Sequence, residues 1–381
     1  MEKERKKNAK KEKAIFILMC FLIGAMCGVV GGIALTRILP DDASGKEELL
    51  GLALVWIVVM LALRIHIYVH ETGHLIFGLL SGYQFASIRF GSLMFQKTEE
   101  GIKRRKLKIA GTGGQCLMVP PAAGQADIPV KLYNWGGCIA NLIFSLLMMI
   151  LSICLQSMAI VSTSLMLVCM AGIGSAIING VPLRSFSNDG YNAMTLGKRP
   201  YARKCFSAQL SMQAELAKGK AVRDMPEDWF VFTEDATLLS DNIVSTSSII
   251  AMEREIDRKN FSEAERMAKF LVAHAQLAKI HEWILHADLL FCELVGEKRT
   301  EVIEKMMSPQ WQKQLKQLNS QPSMHRVWYA YYLLEKNDEE KAKKHLDMFE
   351  KIAQKYPYPS EIQCERELIG YVREKYIASK K

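Results

Sequence analysis

The sequence has few cysteines, no CxxC pair and long stretches with almost no charge. Nine cysteines are spread over 381 residues, which excludes a disulfide scaffold, and an apolar share of 50% excludes intrinsic disorder. Residues 14–39, 49–63 and 138–183 contain almost no charged side chains. Because about 18 or more apolar residues in a row suffice to cross a bilayer, the sequence predicts an integral membrane protein.

Four membrane spans are expected. The first covers residues 14–39, and the second runs as a helical pattern from residue 49 to about residue 80. The second is longer than the hydrocarbon core requires, so we expect it to tilt, to break or to protrude. Two further spans cover roughly residues 135–158 and 159–183.

Two basic clusters orient these spans. One lies in residues 1–13 and the other in residues 103–108, between apolar segments. The positive-inside rule explains both clusters if the N- and C-termini are cytoplasmic and the protein lies in the cell membrane. No aromatic residues are interleaved with the basic ones, so we expect no nucleic-acid partner.

The segment between the second and third spans changes its pattern. Residues 83–109 read as a membrane-associated β-hairpin that turns at Glu99-Glu100-Gly101. Residues 198–381 read instead as a soluble helical domain, in which Lys259 and Asn337 begin similar segments. A tetratricopeptide-like repeat and an irregular helical bundle are both compatible with this weak similarity.

The predicted fold class is therefore an all-α polytopic membrane core with a small β-hairpin region, followed by an α-helical soluble domain. Its expected parts are a basic cytoplasmic tail, a first span, a membrane core and a cytoplasmic helical domain. They cover residues 1–13, 14–39, 49–197 and 198–381, respectively.

The strongest chemical signal is the HExxH motif, His70-Glu71-Thr72-Gly73-His74. Residues four apart on a helix share one face, so both imidazoles can bind one Zn²⁺ ion. Glu71 then lies where a general base can take a proton from a water molecule that attacks a carbonyl group. Ionisable residues inside a membrane span are costly and usually functional, which favours a metal site over a structural polar patch.

A catalytic zinc site needs a third protein ligand, for which Asp189 is the candidate. The same residue also fits an ordinary Asn-Asp-Gly surface turn. Asn141 and Asn179 lie in predicted spans, where they can donate hydrogen bonds to a substrate or an oxyanion, or bond neighbouring helices. His66 lies too far along the helix to join His74 on one metal, so it is a packing or supporting residue.

These residues resemble the motifs of the site-2 protease family of intramembrane zinc metalloproteases. The segment HETGH resembles the HExGH of that family, and Asn179-x-x-Pro182 followed by Asp189-Gly190 resembles its NxxPxPxxDG motif. Residues 137–141 resemble its Gly-Pro-x-x-Asn segment, and the whole likeness covers residues 50–197. The interval from Pro182 to Asp189 is about two residues longer than in the family pattern, and Asn188 stands where Leu is typical.

The resemblance implies an intramembrane zinc endopeptidase that cleaves transmembrane or signal-peptide-like segments, as in regulated intramembrane proteolysis. His70, His74 and Asp189 would then hold Zn²⁺, and Glu71 would be the base. The expected partners are a membrane protein or peptide substrate, the lipid bilayer and a regulatory protein at the helical domain. Two alternatives stay open: a non-catalytic scaffold whose helical repeats bind a partner, and a peptidase that processes exported peptides.

Overall fold

The computed structural model describes residues 2–40, 42–107, 109, 112–184, 187–275 and 277–381. Four of its helices are long and apolar enough to cross a membrane, which confirms the predicted polytopic core. They are α1 (Glu2–Ile38), α2 (Gly45–Leu80), α3 (Lys131–Cys154) and α4 (Ala159–Gly180).

Helix α2 is continuous, so the break considered from its length does not occur. Its first turn is fixed by a capping box, in which the backbone N–H and the hydroxyl of Ser44 both donate to the Glu47 carboxylate, at 2.7 and 2.8 Å. At 36 residues the helix is ~54 Å long, against a hydrocarbon core of about 30 Å, so it must tilt or protrude.

The spanning helices carry apolar side chains outward. Phe21, Leu50 and Trp56 are all more than 60% exposed, which suits a lipid environment and not water. Small residues lie between the helices instead: a Cβ at Gly73 would sit 2.4 Å from the carbonyl oxygen of Gly136 on α3. The backbones of α2 and α3 therefore touch here, as small residues permit in membranes.

The β-region is larger than the predicted hairpin. Four strands form a small antiparallel sheet, because Gly91 (φ +59°) turns the chain inside the segment expected to be one strand, and a further strand follows later. The hairpin turn predicted at residues 99–101 is confirmed. The strands are β1 (Gln84–Phe90), β2 (Leu93–Thr98), β3 (Gly101–Lys106) and β4 (Gly114–Val119).

The strand pairs have defined registers. In the β1–β4 pair Ile88 lies opposite Cys116, and the register shifts between Phe85 and Ser87. In the β2–β3 pair Phe95 lies opposite Arg104.

The chain divides into two compact units. The first comprises Met1–Gly91, Ile109–Pro121 and Pro129–Arg199, and it includes a short helix, α5 (Asp189–Thr195). The second comprises Ser92–Lys108, Ala122–Ile128 and Pro200–Lys381. The domain limits expected from the sequence stay a prediction.

The second unit is mainly helical, and a tetratricopeptide-like array is not confirmed in it. Lys259 and Asn337, which begin the two similar segments, both have positive φ values, and so does Lys298 in a turn between them, so these three turns share a backbone conformation. The helices between these turns nevertheless differ in number and length, because α10 and α11 have only 7 residues each. The helices are α6 (Pro200–Ala217), α7 (Asn242–Asp257), α8 (Phe261–His274), α9 (Lys279–Val295), α10 (Thr300–Met306), α11 (Pro309–Leu315), α12 (Pro322–Ala330), α13 (Glu339–Ala353) and α14 (Pro359–Ser379).

Candidate metal centre

Three side chains converge at one point in the first unit. Nε2 of His70 lies 3.1 Å from Nε2 of His74, and Oδ2 of Asp189 lies 3.0 and 3.3 Å from these two nitrogens. The three residues form the one cluster of possible metal ligands found among the described residues. The fold thus brings together the two histidines of the motif and the carboxylate that the sequence offered as their partner.

The dimensions of this triangle fit a tetrahedral zinc ion. Zinc binds imidazole nitrogen and carboxylate oxygen at about 2.0–2.2 Å, so adjacent ligand atoms in a tetrahedral site lie about 3.3–3.6 Å apart. The observed edges of 3.0, 3.1 and 3.3 Å lie at or up to 0.3 Å below the lower end of this range. Three protein ligands also leave the fourth position open, as catalytic zinc sites require.

Asp189 faces the two imidazole groups at this point. Burial alone would raise the pKa of its carboxyl group, yet hydrogen bonds with His70 and His74 lower the pKa below its ordinary range. The carboxylate therefore stays ionised at neutral pH, which is the form that binds a cation.

His74 is oriented by a backbone contact from α3. Its Nδ1 lies 2.8 Å from the carbonyl oxygen of Tyr133 and donates there, so Nε2, on the side of Asp189, is the ring atom that can bind a metal. The Tyr133 hydroxyl donates to the carbonyl of Cys116 on β4, at 2.8 Å, and its ring stacks on Tyr83 at 4.8 Å. Strand β4 thereby positions Tyr133, whose carbonyl orients His74.

His70 is oriented through Asn141, which is fully buried. The Asn141 amide lies 3.3 Å from Nδ1 of His70, 3.0 Å from Nδ1 of His66 and 3.0 Å from the hydroxyl of Ser175. Nε2 of His66 lies 2.9 Å from the carbonyl of Val168, so a neutral His66 donates there and must accept at Nδ1.

As placed, the amide has Oδ1 against His66, and Nδ2 against His70 and Ser175. The two amide atoms are nearly alike in shape, and we interpret them as exchanged, so that the nitrogen donates to His66 and the oxygen accepts from Nδ1 of His70. Nε2 of His70 is then the atom that can bind a metal ion, like Nε2 of His74. We therefore interpret Asn141 and His66 as supports of His70, a candidate metal ligand.

Asp189 reaches the histidines because of the turn between α4 and α5. A Cβ at Gly190 would lie 1.9 Å from the carbonyl oxygen of Gly180, so only glycine allows α5 to begin against the end of α4. The side chain of Asn188 accepts from the N–H groups of Tyr191 and Leu183, at 3.2 and 3.1 Å.

The amide nitrogen of Asn188 also donates to the carbonyls of Ile178 and Val181, at 3.0 and 2.7 Å. One half-buried amide therefore ties the end of α4 to the start of α5. In the sequence this residue stands out only as a departure from a motif, although an Asn before a short helix is a typical N-cap, which is its role here.

Glu71 lies on α2 between the two histidines and is 7% exposed. Its carboxyl group borders the start of β4, where a Cβ at Gly114 would lie 2.5 Å from Oε1. The base candidate is thus confined between its own helix and a strand of the sheet.

The other predicted site residue, Asn179, bonds its own helix and not the histidines among the described contacts. Its amide nitrogen donates to the carbonyl of Ser175 at 3.0 Å, which is a bond within α4. The predicted contacts of Asn141 and Asn179 with a substrate or an oxyanion stay a prediction.

Comparison with known proteins agrees with this geometry. The sequence model of peptidase family M50 matches residues 58–355, which include the HExxH helix, Asn141 and Asp189. No curated protein and no solved structure matches the chain. The match confirms the resemblance to site-2 proteases, and a family of membrane metallopeptidases explains why a metal-ligand cluster lies among apolar helices. The chain belongs to peptidase family M50.

Proposed function

We propose that the protein is a zinc-dependent intramembrane endopeptidase. The observation that carries this proposal is the triangle of His70, His74 and Asp189 beside the carboxyl group of Glu71. The ligand set of two imidazoles and one carboxylate is typical of catalytic zinc in peptidases.

Each residue has a distinct part in the reaction. A bound Zn²⁺ ion would supply Lewis acidity to the scissile carbonyl and to the attacking water. His70, His74 and Asp189 would hold the ion in place. Glu71 would take a proton from the attacking water and give it to the nitrogen of the leaving amine, so that the amine leaves as a neutral group and not as an amide anion.

The orientation follows from the charges. The protein lies in the cell membrane. By the positive-inside rule its cytoplasmic parts are the basic segments 1–13 and 103–108 and the helical region after residue 198. The substrates that fit a site among apolar helices are transmembrane or signal-peptide-like segments, as in regulated intramembrane proteolysis. Exported peptides are the alternative substrate class.

The test compares membrane fractions of cells that carry the wild-type chain or Glu71→Gln. Removal of a general base slows the reaction by about 10²–10⁴-fold, whereas the amide leaves the zinc ligands unchanged. We expect peptides that end inside membrane spans to disappear in the variant, while the zinc content of the purified protein stays the same. If only exported peptides change, the alternative substrate class is correct.

A control and a contrary outcome complete the test. Glu48→Gln changes an exposed carboxylate in the first turn of the same helix and should leave cleavage unchanged. An Asp189→Ala variant should lose zinc as well as cleavage. A fragment pattern that is the same for wild type and Glu71→Gln contradicts the peptidase proposal and favours the scaffold.

A further inference from the structure

The second unit contains a cavity of about 400 Å³ that has no part in the peptidase site. It lies among helices α6, α7, α9, α12 and α14, and its apolar wall includes Met212, Ile284 and Leu368. This volume falls in the range of known ligand pockets, which are mainly apolar with a few polar groups at fixed positions.

Negative side chains predominate in this cavity. Five carboxyl groups line it, whereas the lining contains a single basic side chain, Arg326, in the part of the chain that the structure describes. Arg326 donates to Asp288 at 2.9 Å, and its Nε lies 3.2 Å from Oε2 of Glu365. The five carboxyl groups belong to Glu253, Asp257, Asp288, Glu361 and Glu365.

The remaining carboxyl groups have few cations near them. Asp257 pairs with Arg223 at 3.1 Å. Glu253 and Glu361 form no ion pair with any residue that the structure describes. Since buried charges are normally paired, the cavity lacks positive charge.

The pKa values agree with this charge balance. Burial raises the pKa of Glu361 and of Glu365 to about 7. Burial and the neighbouring carboxylates Asp288 and Glu361 also raise the pKa of Glu253 well above its ordinary value. At neutral pH Glu361 and Glu365 are therefore partly protonated, and a cation in the cavity would displace the protons.

A second feature points to a ligand independently of the charges. The hydroxyl of Ser360 lines the cavity, and the residue is 7% exposed. This hydroxyl has no hydrogen-bond partner among the described residues. Buried polar atoms are usually satisfied, so a polar group of a ligand would complete it.

We propose that this cavity binds a lysine or arginine side chain of a peptide. The apolar stem of such a side chain would lie against Met212 and Leu368, and its charged end would pair with Glu253 and Glu361. The same end would donate to Ser360 and Glu365. A long apolar stem with a cationic end matches the two parts of the cavity. Binding here does not depend on the proposed peptidase activity.

The test is calorimetric titration of the full chain in detergent micelles with small probes. The cationic probes are acetyl-arginine methylamide and acetyl-lysine methylamide, and the neutral probes of similar shape contain citrulline and norleucine. We expect saturable binding of at least one cationic probe and at least ten-fold weaker binding of the neutral ones. Binding should be tighter at pH 8 than at pH 6, because the carboxyl groups are then deprotonated.

Variants locate the binding. The double variant Glu253→Gln with Glu361→Gln keeps the shape of both side chains and should weaken cation binding at least ten-fold. Ser360→Ala should weaken it several-fold, and Glu304→Gln, on the exposed side of α10, should not change it. Equal binding of neutral and cationic probes, no saturable binding of either cation, or an unchanged affinity in the double variant would each overturn the proposal.

Discussion

Asn141 should control the metal affinity of the site although its side chain is not a proposed ligand. Its amide contacts His66, His70 and Ser175 in a fully buried position. Replacement by alanine leaves Nδ1 of His70 without the acceptor that fixes its tautomer. Loss of a residue that hydrogen-bonds a metal ligand typically lowers metal affinity about 10–100-fold, which corresponds to about 1.4–2.8 kcal/mol.

The change also lowers the stability of the membrane core. His66 loses its partner as well, and a buried polar group left unpaired costs about 1–3 kcal/mol. We therefore expect Asn141→Ala to bind zinc 10–100-fold more weakly and to unfold at a lower temperature. Asn141→Asp keeps an acceptor for His70, so its zinc affinity should lie closer to that of the wild type.

The assay is competition for zinc between the purified protein and a chelator of known affinity, with cleavage measured separately at saturating zinc. Asn179→Ala is the matched control, because that amide bonds only within its own helix among the described contacts. If Asn141→Ala keeps the zinc affinity of the wild type but cleaves poorly, Asn141 acts on the substrate, as the sequence analysis allowed, and the interpretation as a support is wrong.

Two further predictions concern packing and pH. Gly137→Ala should lower zinc affinity and cleavage, because a Cβ there would lie 2.4–2.6 Å from three ring atoms of His70. The control is Gly32→Ala in α1, where a Cβ would have no neighbouring atom within 4 Å, and it should change neither zinc affinity nor cleavage. For the helical unit, burial raises the pKa of Glu361 and Glu365 from 4.5 to about 7, so the folded state binds protons more strongly than the unfolded state. The free energy of unfolding should therefore fall as the pH rises from about 4.5 to about 7 and change little above pH 7. Exchange of both residues for Gln should flatten this dependence. The measurement is the apparent Tm of the wild type and of the double variant at each pH. A Tm gap between wild type and this double variant that stays constant over the same pH range would contradict the assignment.

Local signals in the sequence suffice for the spans and for most of the site. Uncharged apolar runs define the membrane helices because a bilayer imposes a minimum length and excludes charge. The spacing of His70 and His74 defines half of the metal site because helix geometry alone puts both on one face. Asp189 was a weaker prediction, since a carboxylate 115 residues later reaches the histidines only through the packing of three helices.

The sheet was harder to predict for a related reason. The segment around Gly91 alternates like one strand, and only the positive φ of that glycine divides it. The strand β4 follows a glycine-rich stretch, in which low β-propensity hides a strand that pairing with β1 stabilises. Pairing with a strand that is distant in sequence decides the second case, and no single window of the sequence contains it.

The long interval between Pro182 and Asp189 shows how a departure from a motif can preserve its geometry. Extra residues in the turn would by themselves let the chain carry Asp189 away from the histidines. Asn188 opposes this by bonding four backbone groups of the turn, and Gly190 permits contact with the end of α4. The longer loop and the unusual Asn are therefore one feature, so Asn188→Leu, which restores the common motif residue, should weaken zinc binding here instead of improving it.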